Sequence, residues 1–330
     1  MPKDGVQPRW QELIKPYRKP ILSKSIWQLV NTLVPYFAIW GLMIYALQYS
    51  YWISFGLGIL NGLLTVRIFI INHDCGHGSF FRSKKANQIV GFWTSAISFT
   101  PYEHWRHSHW VHHRKSGQYD EKGVGYFWIM GVEEYKNASW PTKAFYRFYR
   151  NPFVLFLLGG LWQFGIESRL SFSCKNWAQR RSVWLTNLFW ASIIVVGGSS
   201  LGYWTFLSLL FPVIATGAFW GLLLFYLQHH YEGSYWAHKP DWSYEKAALQ
   251  GSSYIKLNPI AEWFAGSINY HHIHHLAPLV PNYRLKEAHN NIPTFYNVKP
   301  LTGKQILSSW RLRLVDEEEC KWADFPNAAK

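Results

Sequence analysis

Residues 51–77 read YWISFGLGILNGLLTVRIFIINHDCGH, an apolar run that closes on His73-Asp-Cys-Gly-His77. From Tyr51 to Asn72 it has the roughly 20 residues that a membrane-crossing helix requires, with Arg67 as its one charged residue. Histidines four apart share a helix face, so His73 and His77 are offered together where the helix leaves the lipid. A second apolar run, Ile26–Gln48, lies just upstream, and the two form a hairpin with a very short outer turn. A charge within a span is costly in hydrocarbon, so Arg67 is expected to face protein or reach for the interface in a structural role.

Downstream the chain alternates short and long apolar segments. Ile89–Thr100 and Pro152–Ile166 are too short to cross and read as re-entrant or interfacial. Lys143, Arg147 and Arg150 precede the second of these, and Arg169, Lys175, Arg180 and Arg181 follow it, which keeps both of its ends cytoplasmic. Two further spans, about Val183–Ser199 and Tyr203–Leu227, form a second hairpin broken near Gly197–Gly202. Gly217 and Gly221 have the small-xxx-small spacing that permits close helix packing. Gly56-Leu-Gly58 superficially matches a nucleotide-binding turn, but it lies within a span and is discarded. Four crossings return the chain to its starting side, an all-α membrane protein with both termini cytoplasmic.

The 330 residues are 49% hydrophobic and 19% aromatic, with the apolar residues bunched and Trp, Tyr and Phe abundant, as at lipid headgroups. The formal charge of +14 comes without a nucleic-acid-binding motif, and its Lys and Arg gather beside apolar runs, so nucleic acid is excluded as a partner and membrane orientation accounts for the charge. Cys75, Cys174 and Cys320 have no spacing that would hold zinc, an iron–sulfur cluster or a disulfide framework. The chain is therefore expected to carry no redox cofactor besides a metal centre. The N-terminal stretch, Met1 to Pro20, reads as a cytoplasmic tail rather than a signal peptide.

Two more histidine clusters repeat the theme of the first. In His109-Trp-Val-His112-His113 the histidines stand at i, i+3 and i+4, and His271, His274 and His275 repeat that spacing with His272 the odd one out, although His272 and His275 are also an i, i+3 pair, so spacing does not force this register. His229 ends the fourth span on the same face and is preferred to His230. Neutral imidazole is the commonest side-chain metal ligand, and eight or nine converging ones exceed what a structural zinc needs, so the reading is a polynuclear centre held by His73, His77, His109, His112, His113, His229, His271, His274 and His275. His104 and His107 point off the ligand face, while His238 and His289 lack partners at ligand spacing. Glu103, Asp120 and Glu232 are candidates for orienting ring nitrogens. Imidazole suits zinc, copper, iron and nickel alike, so ligand type leaves the metal open.

These residues strongly resemble the three histidine boxes of the membrane fatty acid desaturases, within the wider di-iron desaturase and hydroxylase family, and are most similar to bacterial acyl-lipid desaturases. The resemblance rests on residues 73–81, 105–113, 225–232 and 269–276, on Pro281-Asn-Tyr-Arg284, on Tyr146–Pro152 and on Gly251-Ser-Ser253. It implies a cytosolic di-iron centre on the nine histidines, O₂ as co-substrate, a membrane lipid or other fatty acyl substrate, and electrons from a separate ferredoxin or cytochrome. It further implies a single desaturase domain with a core of about 26–289 between cytosolic tails (1–25 and 290–330), in a bacterial plasma membrane. One departure is Tyr126, where related bacterial sequences carry an acid, which bears on substrate placement or donor docking.

An unactivated methylene has no accessible pKa, so removing its hydrogen requires a metal–oxygen oxidant. The reading is O₂-dependent desaturation giving a cis double bond. A hydroxylase or ketolase would use the same centre, and histidine spacing does not separate the two. A metal transporter would need ionisable groups near the midplane of several spans, and apart from Arg67 these spans are nearly free of them.

Overall fold

The computed structural model describes residues 9–123 and 127–326. Ten helices organise it: α1 (Leu22–Ala46), α2 (Tyr51–His77), α3 (Lys84–Ile97), α4 (Tyr102–Lys115), α5 (Gly159–Gly165), α6 (Trp177–Leu201), α7 (Tyr203–His229), α8 (Pro259–Phe264), α9 (His271–Leu276) and α10 (Asn282–Asn291). Of these, α1, α2, α6 and α7 are long and apolar enough to cross a membrane, and the chain is an integral membrane protein built on two hairpins. The four spans expected from the sequence are therefore present, each somewhat longer than its apolar run.

The two longest helices place the site. At 27 residues each, α2 and α7 are about 40 Å long, against about 30 Å of hydrocarbon, so each is long enough to carry its last turn beyond the lipid. Ser50 caps the start of α2, accepting from the Trp52 N–H. Its end is set by Gly78 in the left-handed region (φ 73°), with the Ser79 N–H returned to the Asp74 carbonyl at 2.9 Å. Glycine adopts that conformation without a Cβ penalty, so the His-Asp-Cys-Gly-His-Gly stretch closes its own helix.

The second hairpin departs from the expected break across Gly197–Gly202. Residues 197–201 remain helical, and the turn is Gly202 alone, at φ 84°. Gly197 and Gly198 instead make room for the rings of Phe206 and Tyr203 folding back from α7, with no space for a Cβ. Between α2 and α7 lies a seam of small residues. A Cβ on Gly58 would clash with Pro212, one on Gly62 with Thr216, and one on Gly217 would press on Gly62 and Thr65. Such residues let backbones approach where apolar driving force is absent.

Arg67 is almost fully buried beside this seam. Its guanidinium donates to Thr32 Oγ1 at 3.0 Å and to the Trp263 carbonyl, and lies 4.2 Å over the Trp263 ring, tying α1, α2 and α8 together. The short helices α3 (14 residues) and α5 (7 residues) are both too short to span. A one-turn π-helix, Val154–Leu158, leads into α5. Beyond residue 290 the chain is folded onto the rest: Phe295 is fully buried, and β2 (Leu314–Asp316) pairs in parallel with β1 (Met130–Gly131) and antiparallel with β3 (Lys321–Ala323). Tyr126 lies outside the described residues.

Candidate metal centre

Four segments carry the nine histidines to one place. His73 and His77 occupy the last turn of α2, with ring centroids 4.9 Å apart. His109, His112 and His113 project from one side of α4, and His229 is the final residue of α7. The loop Gly251–Ser253 then joins α7 to α9: the Ser253 N–H donates to the Gln228 carbonyl at 2.9 Å, and the Ser253 carbonyl accepts from the His271 and His272 N–H groups. The Gly251 carbonyl lies 3.1 Å from His229 Nδ1. One short strand of backbone thus fixes both His229 and the start of the His271–His275 cluster.

The histidines divide into two groups, His73, His77, His109, His113 and His274 in one and His112, His229, His271 and His275 in the other. Within each group one nitrogen per ring lies within 4.8 Å of all the others. In the first, His109 Nε2 is 3.0 Å from His77 Nε2 and 3.1 Å from His113 Nε2, which is 2.9 Å from His274 Nε2. In the second, His229 Nε2 is 3.1 Å from both His112 Nε2 and His271 Nε2. The His113 and His275 rings stack at 4.1 Å across the boundary between the groups.

This donor set fits metal ions. A ring N–H points to only one acceptor, yet His109, His113 and His229 each meet two other ring nitrogens; a shared cation between lone pairs satisfies them together. His73 Nε2 and His275 Nε2 are buried without a hydrogen-bond partner. Burial, reinforced by neighbouring imidazoles, holds His109, His113, His271, His274 and His275 well below the usual histidine pKa, which keeps their rings neutral and able to ligate. All nine candidates from the sequence are brought together, and two groups of four and five donors suit two ions better than one.

Other histidines stand apart. His272 faces His289 at 3.4 Å, His230 stacks on Tyr226 at 4.2 Å, and His104 Nε2 is 3.0 Å from Ser173 Oγ. The acids put forward as orienting groups are not in contact with ligand rings: Asp120 holds His238 at 3.0 Å, Glu103 holds Arg106 at 2.7 Å, and Glu232 is exposed. Asp74 takes that part instead. Its Oδ1 lies 3.1 Å from His73 Nδ1, and its Oδ2 accepts from the Asn282 N–H at 2.6 Å, turning His73 Nε2 inward. A carboxylate next to a candidate ligand was the signal for it.

A cavity of about 530 Å³ opens on both groups. His73, His109, His112 and His271 form part of its wall, and the remainder is largely apolar, including Val66, Phe69, Ile214, Leu224 and Phe225. The glycine pair on α7 divides its work here. Both line the cavity, but Gly217 also packs against α2, as its spacing foretells, whereas a Cβ on Gly221 meets nothing within 4 Å. An apolar chain entering this cavity would meet both histidine groups.

The family model for fatty acid desaturases matches residues 50–300. A fatty acid desaturase of Bacillus subtilis is 40% identical over 309 residues, 94% of this chain and 88% of the relative. The sn-1 acyl-lipid omega-3 desaturase (ferredoxin) of Synechocystis is 30% identical over 260 residues, covering 74% and 67% of the two chains. The sn-1 oleoyl-lipid 12-desaturase of Anabaena variabilis is 25% identical over 272 residues, covering 80% and 75%.

Proposed function

The chain belongs to the fatty acid desaturase family, and from that premise we propose that it introduces a cis double bond into an acyl chain esterified in membrane lipid, using O₂ and electrons from a separate carrier protein. It is an oxidoreductase of the membrane, a fatty acid desaturase. The observation that carries the finer reading is the apolar cavity ending on two groups of four and five imidazoles. Acyl-lipid desaturases among the relatives support the choice of substrate, and one whose name includes ferredoxin supports that class of donor.

His73, His77, His109, His113 and His274 would hold one iron, and His112, His229, His271 and His275 the other. When bound, the irons supply, with O₂, the oxidising power to take hydrogen from two adjacent methylenes, chemistry that no side chain performs. The protein's own part is positional. The cavity wall holds the chain against the histidines, and that fixes which carbons react. Asp74 and the Gly251 carbonyl set the rings of His73 and His229 so that the opposite nitrogens face inward. Burial excludes water, protecting reactive species from side reactions. We read the whole chain as one desaturase unit, its histidine end cytoplasmic in a bacterial plasma membrane.

The test is gas chromatography–mass spectrometry of total fatty acids from a bacterial host lacking the activity, expressing the chain or its His112→Ala form with a ferredoxin and its reductase. A new unsaturated acid in the wild type, absent with His112→Ala, is the expected result. An oxygenated product in its place would move the chemistry to hydroxylation, and full activity in His112→Ala would refute the ligand assignment.

A further inference from the structure

Seven of the nine imidazoles are buried; His77 and His109, both in the five-histidine group, are only half-buried. Part of the exposure of His109 belongs to the cavity wall, whereas His77 is not among the residues that line the cavity. On α4 the residues Arg106, Trp110 and Arg114 follow at i, i+4 and i+8, a stripe running directly beside the one that carries His109 and His113. The Arg106 side chain lies along the last turn of α2, its Cγ 3.6 Å from where a Cβ on Gly76 would be, next to His77. Trp110 is 52% exposed, and the Arg114 guanidinium sits 4.5 Å over its ring. Residues 82–115 hold six Lys or Arg and one acid, Glu103, itself bridged to Arg106 at 2.7 Å. Arg82 is exposed before α3 and follows Phe81, whose N–H donates to Asn87 Oδ1; the Asn87 carbonyl accepts from the Tyr102 hydroxyl, and the Arg106 guanidinium lies over the Tyr102 ring.

We propose that the Arg106–Trp110–Arg114 stripe, with Arg82 at its border, is the docking face for a small acidic one-electron carrier protein, whose redox group comes to rest over His77 and His109. This rests on the desaturase reading. In that reaction –CH₂–CH₂– + O₂ + 2e⁻ + 2H⁺ gives –CH=CH– + 2H₂O: two C–H bonds break, O₂ is reduced to water, and the substrate provides half of the four electrons. The other two come from outside. Among the described residues the two histidine groups are the only clusters of three or more side chains placed to hold a metal, and the cysteines, Cys75, Cys174 and Cys320, are all free thiols. Weak redox encounters use small interfaces steered by complementary charge, and Trp and Arg are the residues that anchor such contacts.

A lipid surface is the less fitting occupant. Helix α2 is long enough to carry its last turn beyond the hydrocarbon, and Trp110 and Arg114 are next in sequence to His109 and His113, whereas the exposed apolar Ile89 and Trp93 are on α3.

The experiment uses the full-length, iron-loaded protein in liposomes, with an acidic [2Fe–2S] ferredoxin and its reductase, and measures the desaturation rate against ferredoxin concentration and salt. The Arg106→Glu/Arg114→Glu variant should raise KM for ferredoxin about tenfold or more, with kcat within twofold. The steep salt dependence of the wild-type KM should flatten in the variant, since the charges that salt screens are gone. Turnover driven by reduced methyl viologen should be equal in the two proteins. An unchanged KM overturns the proposal. So does a viologen-driven rate that falls along with the ferredoxin-driven one, which marks a structural effect, or weaker binding to anionic vesicles with KM unchanged, which marks a lipid contact. Absence of desaturation by the wild type with either reductant would instead defeat the underlying functional reading.

Discussion

At the scale of single residues, function is divided between the rings and the groups that aim them. Asp74→Asn keeps the size of the side chain but weakens its hold on His73 Nδ1 and on the Asn282 N–H. Groups of this kind are typically worth about 10–100-fold in metal affinity or activity. We expect Asp74→Asn to fold and to lose iron in that range, measured by metal analysis after graded chelation. His272→Ala, which removes a ring paired with His289, should retain its iron, whereas His271→Ala should not. Acidity tests the same rings. His109, His113, His271, His274 and His275 stay neutral in the fold far below the ordinary value of 6.5, so below about pH 6.5 the unfolded chain binds more protons than the folded one. Stability of the chelator-stripped protein is therefore complete above that pH and declines as pH falls beneath it. A melting temperature unchanged between pH 7.5 and 5 would contradict this. The histidine spacings were legible in the sequence because i, i+3 and i+4 are properties of one helix. The part of Asp74 was not, because its partner Asn282 lies 208 residues away.

At the scale of elements, glycines separate what packs from what is left open. Gly202 takes φ 84° at the turn between α6 and α7, where an L side chain is strained by about 1–3 kcal/mol. Gly202→Ala should lower thermal stability accordingly while leaving the product unchanged. Gly217→Leu forces a side chain into the backbone of α2 and should abolish stable expression. Gly221→Leu meets open space and should preserve folding and iron while narrowing the cavity. Its fatty acid profile should shift in chain length or bond position, read by gas chromatography after derivatisation, and an unaltered profile would show that the chain does not pass Gly221. Sequence pattern placed both glycines on one helix face, since four residues apart is nearly one turn. That Gly217 also met a helix while Gly221 faced only open space depended on where α2 came to lie.

For the molecule as a whole, the chemistry is assembled from segments far apart along the chain. The two hairpins predict sidedness: in sealed cells expressing the Cys320→Ser protein, Ser83→Cys should be labelled by an impermeant maleimide only after the membrane is opened, and Ser200→Cys without opening it. The reverse pattern would invert the topology. Apolar run length, the charges beside each run and the recurrence of histidines at helical spacing were enough to determine four spans, two short uncrossed segments and the nine ligand candidates, because each is a local property of consecutive residues. Tertiary structure alone decided the division into two groups. His77 meets His109 across 32 residues, His112 meets His229 across 117, and His113 meets His274 across 161, contacts set by helix packing and by the Gly251–Ser253 connection. The same packing hollowed the cavity, buried seven rings and left His77 and His109 half-buried, since burial belongs to the assembled helices and is not carried by any one stretch of chain.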